Sequence, residues 1–373
     1  MGPAAAWNAM KDSRVSCVTL VDRDPAQLDA ARQLLEPLEG YEKLVTAPVD
    51  LSDVETAVGI FQGHDAALSA LHWDVSLLAF RAALGAGVPI VDLAIPLEDD
   101  LPGLRSAVEE SNGLIILGCG LEPGLTEIMA RYLATRLDRV DELHIKCGGI
   151  PEKPVGPLGY RIVFGGRSLP LRAIDALVIE EGEGRMVPRY SGLELTTFDG
   201  VGQVEAWHEG VLGWMLDLPE LRGLLHVTQK TLRWPGYAAK ATLLNELGLL
   251  ATEPIEVDGQ SVIPKRLVDA VLYPHVRLRD EEGDITLFRV ELSGTRAGSP
   301  VTLRADMVDR MDRARGFTSM ARTTAFTGMI VARMIAAGEI PERGLFTAEQ
   351  IIDPSRFASM MEELALEGVT FSI

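Results

Sequence analysis

Short apolar runs and longer amphipathic stretches alternate along the first third of this chain. Residues 15–21, 44–49, 66–71, 88–93 and 114–117 read as buried strands, rich in branched apolar side chains and closed by polar or glycine positions. Between them, residues 25–35, 53–61, 75–86 and 97–110 carry helical periodicity, with Ser52 placed to cap the second of these and Gly87 to stop the third. Pro3 suits the first turn of a further helix running to Met10. Strands separated by helices of this length predict a parallel, doubly wound α/β sheet.

Ligands of such sheets sit beyond the carboxyl ends of the strands. That rule selects Asp22, Asp50, Ser69 with Ala70, Leu71 and His72, then Asp92 and Cys119. The opening Met1-Gly2-Pro3-Ala4-Ala5-Ala6 is similar to the tail of a G-x-G-x-x-G dinucleotide fingerprint, and Asp22 follows Gly2 by twenty positions. A carboxylate there accepts hydrogen bonds from both ribose hydroxyls and repels a 2′-phosphate, which predicts NAD; Arg23 beside it would admit NADP. The first strand of the fingerprint is absent from the sequence, so the sheet is expected to lack its central strand, and a start inside the loop of a longer natural protein is the expectation.

Composition narrows the classes. A net charge of −19 and a pI near 4.8 oppose binding to nucleic acid or an anionic membrane. No apolar run approaches the roughly 20 residues that span a bilayer. Cys17, Cys119 and Cys147 lie too far apart for a disulfide framework or a usual zinc site, and His64, His144, His226 and His275 suggest no metal. A reduced, cytoplasmic enzyme is expected.

Later strings carry a more specific signal. Gly118-Cys119-Gly120-Leu121-Glu122-Pro123-Gly124 precedes a helix near Leu125; a strand at 142–146 leads into the turn Cys147-Gly148-Gly149-Ile150-Pro151. Then come Pro157-Leu158-Gly159-Tyr160, Glu205-Ala206-Trp207, Lys230-Thr231-Leu232-Arg233-Trp234-Pro235-Gly236 and Ser319-Met320-Ala321-Arg322-Thr323-Thr324. In this order the strings resemble the saccharopine dehydrogenase family, most closely its lysine 6-dehydrogenase branch. The resemblance implies a Rossmann-like unit at 1–120, an inserted α+β substrate and dimerisation domain at 121–311, and terminal helices at 312–373 returning to the first unit. It implies a homodimer or homotetramer that oxidises a C–N bond of a small amino-acid substrate with NAD(P). Glu122, Tyr237 and Phe326 depart from the usual family residues and leave the amino acid recognised open.

Such chemistry needs a carboxylate clamp and a group that accepts the amine proton. Arg233 is the candidate clamp, through a bidentate guanidinium fork. Asp92, Glu122 and Glu205 are the candidate acid–base carboxylates, and Tyr160 and Cys119 candidate substrate contacts. Arg233 is expected to face Asp92 and Glu122 across an interdomain cleft, with Arg161, Lys146 and Lys230 as substitute clamps. A saccharopine dehydrogenase-type enzyme and a truncated, non-catalytic oligomeric relic are the competing readings. Arg167 and Arg266 add cations to the middle third without clear grouping.

Overall fold

The computed structural model describes residues 1–164 and 166–373, the side chains of residues 73 and 74 aside. The elements begin α1 (Gly2–Met10), β1 (Val18–Asp22), α2 (Pro25–Leu35), β2 (Leu44–Pro48), α3 (Val54–Phe61), β3 (Ala67–Ser69), α4 (Trp73–Ala86), β4 (Ile90–Asp92), α5 (Leu101–Ser111), β5 (Leu114–Leu117) and α6 (Leu125–Ala134). The middle of the chain holds β6 (Arg139–Pro151), β7 (Ala176–Glu180), β8 (Glu183–Val187), β9 (Glu194–Phe198), β10 (Gly202–His208), β11 (His226–Arg233), α7 (Tyr237–Glu246), β12 (Ile255–Val257), β13 (Gln260–Val262), α8 (Pro264–Val276), β14 (Asp284–Arg296) and β15 (Ser299–Arg310). It closes with α9 (Ser319–Ala336), β16 (Gly344–Thr347), α10 (Ala348–Ile351) and α11 (Pro354–Leu366). Contacts divide the chain into one unit of Met1–Ile128, Asp312–Phe317 and Ala321–Val369 and a second of Met129–Met311, Thr318–Met320 and Thr370–Ile373.

The first unit is the α/β part. Its strands are all parallel, yet they form two sheets: β1 with β2, and β16-β5-β4-β3. Among the described residues no strand lies between β1 and β3, where the doubly wound order places the central one. The consequence shows in burial. All four residues of β5 are at most 2 % exposed, whereas every residue of β1 is only half-buried. One side-chain bond reaches from β1 toward β3, Thr19 Oγ1 to His64 Nε2 at 2.8 Å. Local signals explain the helices: Asp24 caps α2 by accepting from the Ala26 N–H, and Gly87 closes α4 in the left-handed conformation. Asp53, not Ser52, caps α3, because its side chain accepts from Thr56. The stretch expected as one helix at 97–110 opens with a 3-10 turn before α5.

The second unit is built on an eight-stranded mixed sheet. Six strands run in the order β15-β14-β6-β11-β10-β9, and the β7–β8 hairpin attaches to β11. The sheet curls, for Arg289 on β14 donates to Thr196 Oγ1 at 2.8 Å and to the Thr197 carbonyl at 3.2 Å, both on β9. Ile150, Phe198, Val204, Ala206, Leu232, Ile285 and Leu287 form one buried cluster. The expected turn at Cys147–Pro151 is instead the end of β6, a strand held on both sides by β11 and β14. Its two glycines mark close approach rather than reversal: a Cβ on Gly148 would meet the Leu232 carbonyl oxygen at 2.4 Å, and one on Gly149 the Met320 side chain at 2.4 Å. Residues 160–164 contribute only an isolated bridge from Ile162 to Arg277. Helix α9 starts at Ser319, where the Asp284 carboxylate accepts from the backbone N–H groups of Ser319 and Met320.

Candidate active site

In the first unit the carboxyl ends of β3, β4 and β5 meet through backbone bonds. The Leu93 N–H donates to the Ser69 carbonyl at 3.1 Å and the Cys119 N–H to the Asp92 carbonyl at 2.8 Å. These bonds bury Asp92 completely (0 % exposed). Its Oδ1 accepts from the Ala94 N–H at 2.7 Å, while Oδ2 has no hydrogen-bond partner among the described residues. Burial pushes the Asp92 carboxyl up to about 6. The Ala94 N–H and the neighbouring hydroxyls of Ser76 and Ser69 pull the other way, although neither hydroxyl meets hydrogen-bond geometry with Oδ2. Cys119 is fully buried, and burial raises its thiol so far that it stays protonated. Glu122 is half-buried in the turn before α6. That turn requires Gly124, whose φ is 131° and whose Cβ would meet the Gly120 carbonyl oxygen at 2.4 Å.

The residues selected for the dinucleotide lie at more open strand ends. Asp22 ends β1 half-buried, with Oδ1 accepting from the Asp24 N–H at 2.9 Å; Arg23 is exposed beside it. Its second oxygen has no partner among the described residues, which fits a ribose hydroxyl. Asp50 follows β2 on the surface, and the Ser52 backbone N–H holds its carboxyl below the ordinary value. Beyond β3, Ala70 is exposed, Leu71 half-buried and His72 occupies the N-cap position of α4. Gly2 begins α1, and a Cβ there would meet nothing nearer than Leu20 Cδ1 at 3.4 Å. Asp22 thus has the geometry to hold a ribose hydroxyl of a nicotinamide cofactor.

In the second unit Arg233 ends β11, 7 % exposed, with its guanidinium carbon 4.7 Å from the Tyr160 ring centre and 5.7 Å from that of Tyr237. Its Nη1 donates to the Leu232 carbonyl at 2.7 Å. Glu205 is the cross-strand partner of Arg233 on β10 and is also buried. Its two oxygens accept from the backbone N–H groups of Gly236 and Ala238, at 2.7 and 2.6 Å, so the carboxylate fixes the first turn of α7. The substitute clamps are committed elsewhere. Arg161 pairs with Glu282, and Lys146 and Lys230 share Glu194.

The structure thus gathers Asp92 and Cys119 at one set of strand ends and Arg233, Tyr160 and Glu205 at one end of the mixed sheet. Asp22 and Asp50 stand at the ends of the paired strands β1 and β2. Sequence reasoning passed over Ser76, whose place beside Asp92 has no local signature. It also passed over Glu127, fully buried, which accepts from the Gly124 N–H and the Thr126 hydroxyl at 2.7 Å each. An acid in the first turn of a helix was the available signal for Glu127. Among the described residues no helix is long and apolar enough to cross a membrane.

Comparison with known proteins adds family to geometry. Residues 120–369 match the saccharopine dehydrogenase C-terminal domain. Carboxynorspermidine synthase of Vibrio alginolyticus is 21 % identical over 88 % of this chain and 83 % of its own length. Carboxyaminopropylagmatine dehydrogenase of Synechocystis is also 21 % identical, over 88 % of this chain and 85 % of its own. The fold matches apo saccharopine dehydrogenase (L-Glu forming) of Saccharomyces cerevisiae with a TM-score of 0.80 at 16 % identity, covering 100 % of this chain and 97 % of that one. The chain therefore belongs to the saccharopine dehydrogenase family and is an NAD(P)-dependent oxidoreductase of that family.

Proposed function

We propose that the protein acts on the C–N bond of an amine that carries one carboxylate, most specifically a carboxylated polyamine. The observation that carries this reading is Arg233, a guanidinium held buried against two aromatic rings at the end of β11. Arg161 pairs with Glu282, and Lys146 and Lys230 share Glu194, so these cations are committed to the protein's own carboxylates. The names of both curated relatives denote carboxylated polyamines. A net charge of −19 favours encounter with a polycationic amine.

In the oxidative direction the nitrogen loses a proton and the adjacent carbon a hydride. A bound nicotinamide supplies the hydride acceptor. Ionised Asp92 is the group that takes the proton from nitrogen, on its unpartnered Oδ2. Water then adds to the C=N bond, and cleavage of the C–N bond yields an amine and a carbonyl compound. Asp22 takes the ribose hydroxyls and favours NAD over NADP, with Arg23 as the residue that would reverse the preference.

The test is reduction of NAD and NADP by carboxynorspermidine, carboxyaminopropylagmatine, saccharopine and lysine in parallel. Turnover of the carboxylated polyamines above the other two is expected. Turnover of lysine alone would restore the lysine 6-dehydrogenase reading, and no turnover of any amine would overturn the assignment.

A further inference from the structure

The aromatic cluster around Arg233 holds polar atoms that its own packing does not use. Tyr160, Trp207 and Tyr237 are at most 2 % exposed. Tyr160 meets Tyr237 edge-on with ring centres 5.5 Å apart, and Trp207 stacks on Tyr237 at 6.1 Å with an interplanar angle of 4°. The Oη atoms of Tyr160 and Tyr237 and the Nε1 of Trp207 are all buried, and none has a hydrogen-bond partner among the described residues.

Burial in this region does not by itself orphan such atoms. Tyr190 packs in the same cluster at 4.8 Å from Trp207, and its hydroxyl both donates to the Arg172 carbonyl and accepts from the Arg172 N–H. Trp234, three residues before Tyr237, donates Nε1 to the Pro151 carbonyl at 2.8 Å. Native proteins satisfy nearly all buried polar atoms, so three orphans on rings joined through Tyr237, two of them beside one guanidinium, call for a common partner.

We propose that Tyr160, Tyr237 and Trp207 are substrate-binding residues, which with Arg233 form a donor-lined recess that selects a carboxylate on the amine substrate. This rests on the carboxylated-amine reading above. Two hydroxyls and an indole N–H can each donate and have no acceptor among the described residues, the Arg233 guanidinium lies beside both phenol rings, and an ionised carboxylate offers about four acceptor sites. Burial raises both phenols, so they remain neutral donors through the physiological range. Glu205, the cross-strand partner of Arg233, spends both oxygens on α7 amides and does not serve as their acceptor.

The test compares the parent with Tyr160→Phe, Tyr237→Phe and the double variant, which remove hydroxyls and keep the rings. KM for carboxynorspermidine should rise about fivefold for each single change, with kcat and the KM for the nicotinamide cofactor unchanged. Tm without ligand should hold or rise, since a buried unpartnered hydroxyl is removed. A raised Tm with unchanged KM would overturn the recess and leave the hydroxyls as a cost of the core. Calorimetry with carboxynorspermidine separates the two claims: a parent that binds without turnover, and binds more weakly after double substitution, keeps the recess while the oxidoreductase substrate assignment fails. Equal binding by parent and double variant, or no binding by either, overturns the recess.

Discussion

Asp92 in the first unit and Glu205 in the second are both buried carboxylates beside strand ends, and both qualify as acid–base groups by residue type and burial. Their hydrogen bonds separate them. Both oxygens of Glu205 are occupied by backbone N–H groups at the start of α7, which hold the side chain in place. Asp92 has one N–H donor on Oδ1 and no hydrogen-bond partner on Oδ2 among the described residues, and burial pushes its carboxyl up to about 6. The difference teaches that burial alone does not mark a proton-exchanging acid; an open oxygen with a raised pKa does.

The largest effect should come from breaking the Asp92 side of the comparison. Asp92→Asn is expected to lower kcat/KM for amine oxidation by about 10²–10⁴, the range typical of lost general-base catalysis. In the parent, kcat/KM should fall with unit slope as pH drops below about 6, because the base must be ionised, and the variant should lose that slope. Stability should move the other way. A carboxyl whose folded pKa lies above its unfolded value of 3.8 contributes stability below 3.8 that is lost as pH rises to about 6. Asp92→Asn should therefore be more stable than the parent at pH 7, read as a higher Tm. Asp284, also raised to about 6 by burial, titrates in both proteins and cancels in the difference. A pH-independent parent would sink Asp92 as the base.

Arg233→Lys comes next. It keeps the charge but loses the planar fork and its stacking on Tyr160 and Tyr237, so KM for the carboxylated amine should rise about 10- to 100-fold with little change for the cofactor. An unchanged KM in steady-state kinetics would move the clamp away from β11.

The two regions also differ in how much of them could be read from the sequence. The first unit was legible because helices and strands alternate with sharp punctuation: α2 and β5 match their predicted ranges, and Asp24-Pro25 and Gly87 fix their helix ends locally. The rule of carboxyl strand ends led to Asp92 without knowledge of its burial. In the second unit, long strands paired at large sequence separation override local signals. Cys147–Pro151 looks like a turn because of Gly148 and Gly149, yet those glycines let the Leu232 backbone and Met320 approach a continuous strand. Glu205 was legible as a functional type and illegible as a cap, since its donors lie some thirty residues later.

Asp22→Ala tests the open strand end. Losing two hydrogen bonds to a ribose should weaken NAD roughly 5- to 30-fold while leaving the amine KM nearly unchanged. Equal affinities of the parent for NAD and NADP in a titration would show that Arg23 governs the choice.

Glu205→Gln is expected to have the smallest effect and bears most directly on the comparison. Glutamine keeps one acceptor oxygen, so one of the two α7 amides loses its partner and the charge at the helix start disappears. The cost is on the order of 1–3 kcal/mol, seen as a lower Tm. Because Arg233 pairs in register with Glu205 and α7 begins directly after the Trp234-Pro235-Gly236 turn, KM for the amine should rise about threefold through a slackened clamp. The slope of kcat/KM below pH 6 should persist, since it belongs to Asp92 while Glu205 holds the start of α7. If Glu205→Gln abolishes that slope while Asp92→Asn retains it, the roles assigned to the two carboxylates are reversed, and the open oxygen of Asp92 is a packing defect rather than the seat of proton transfer.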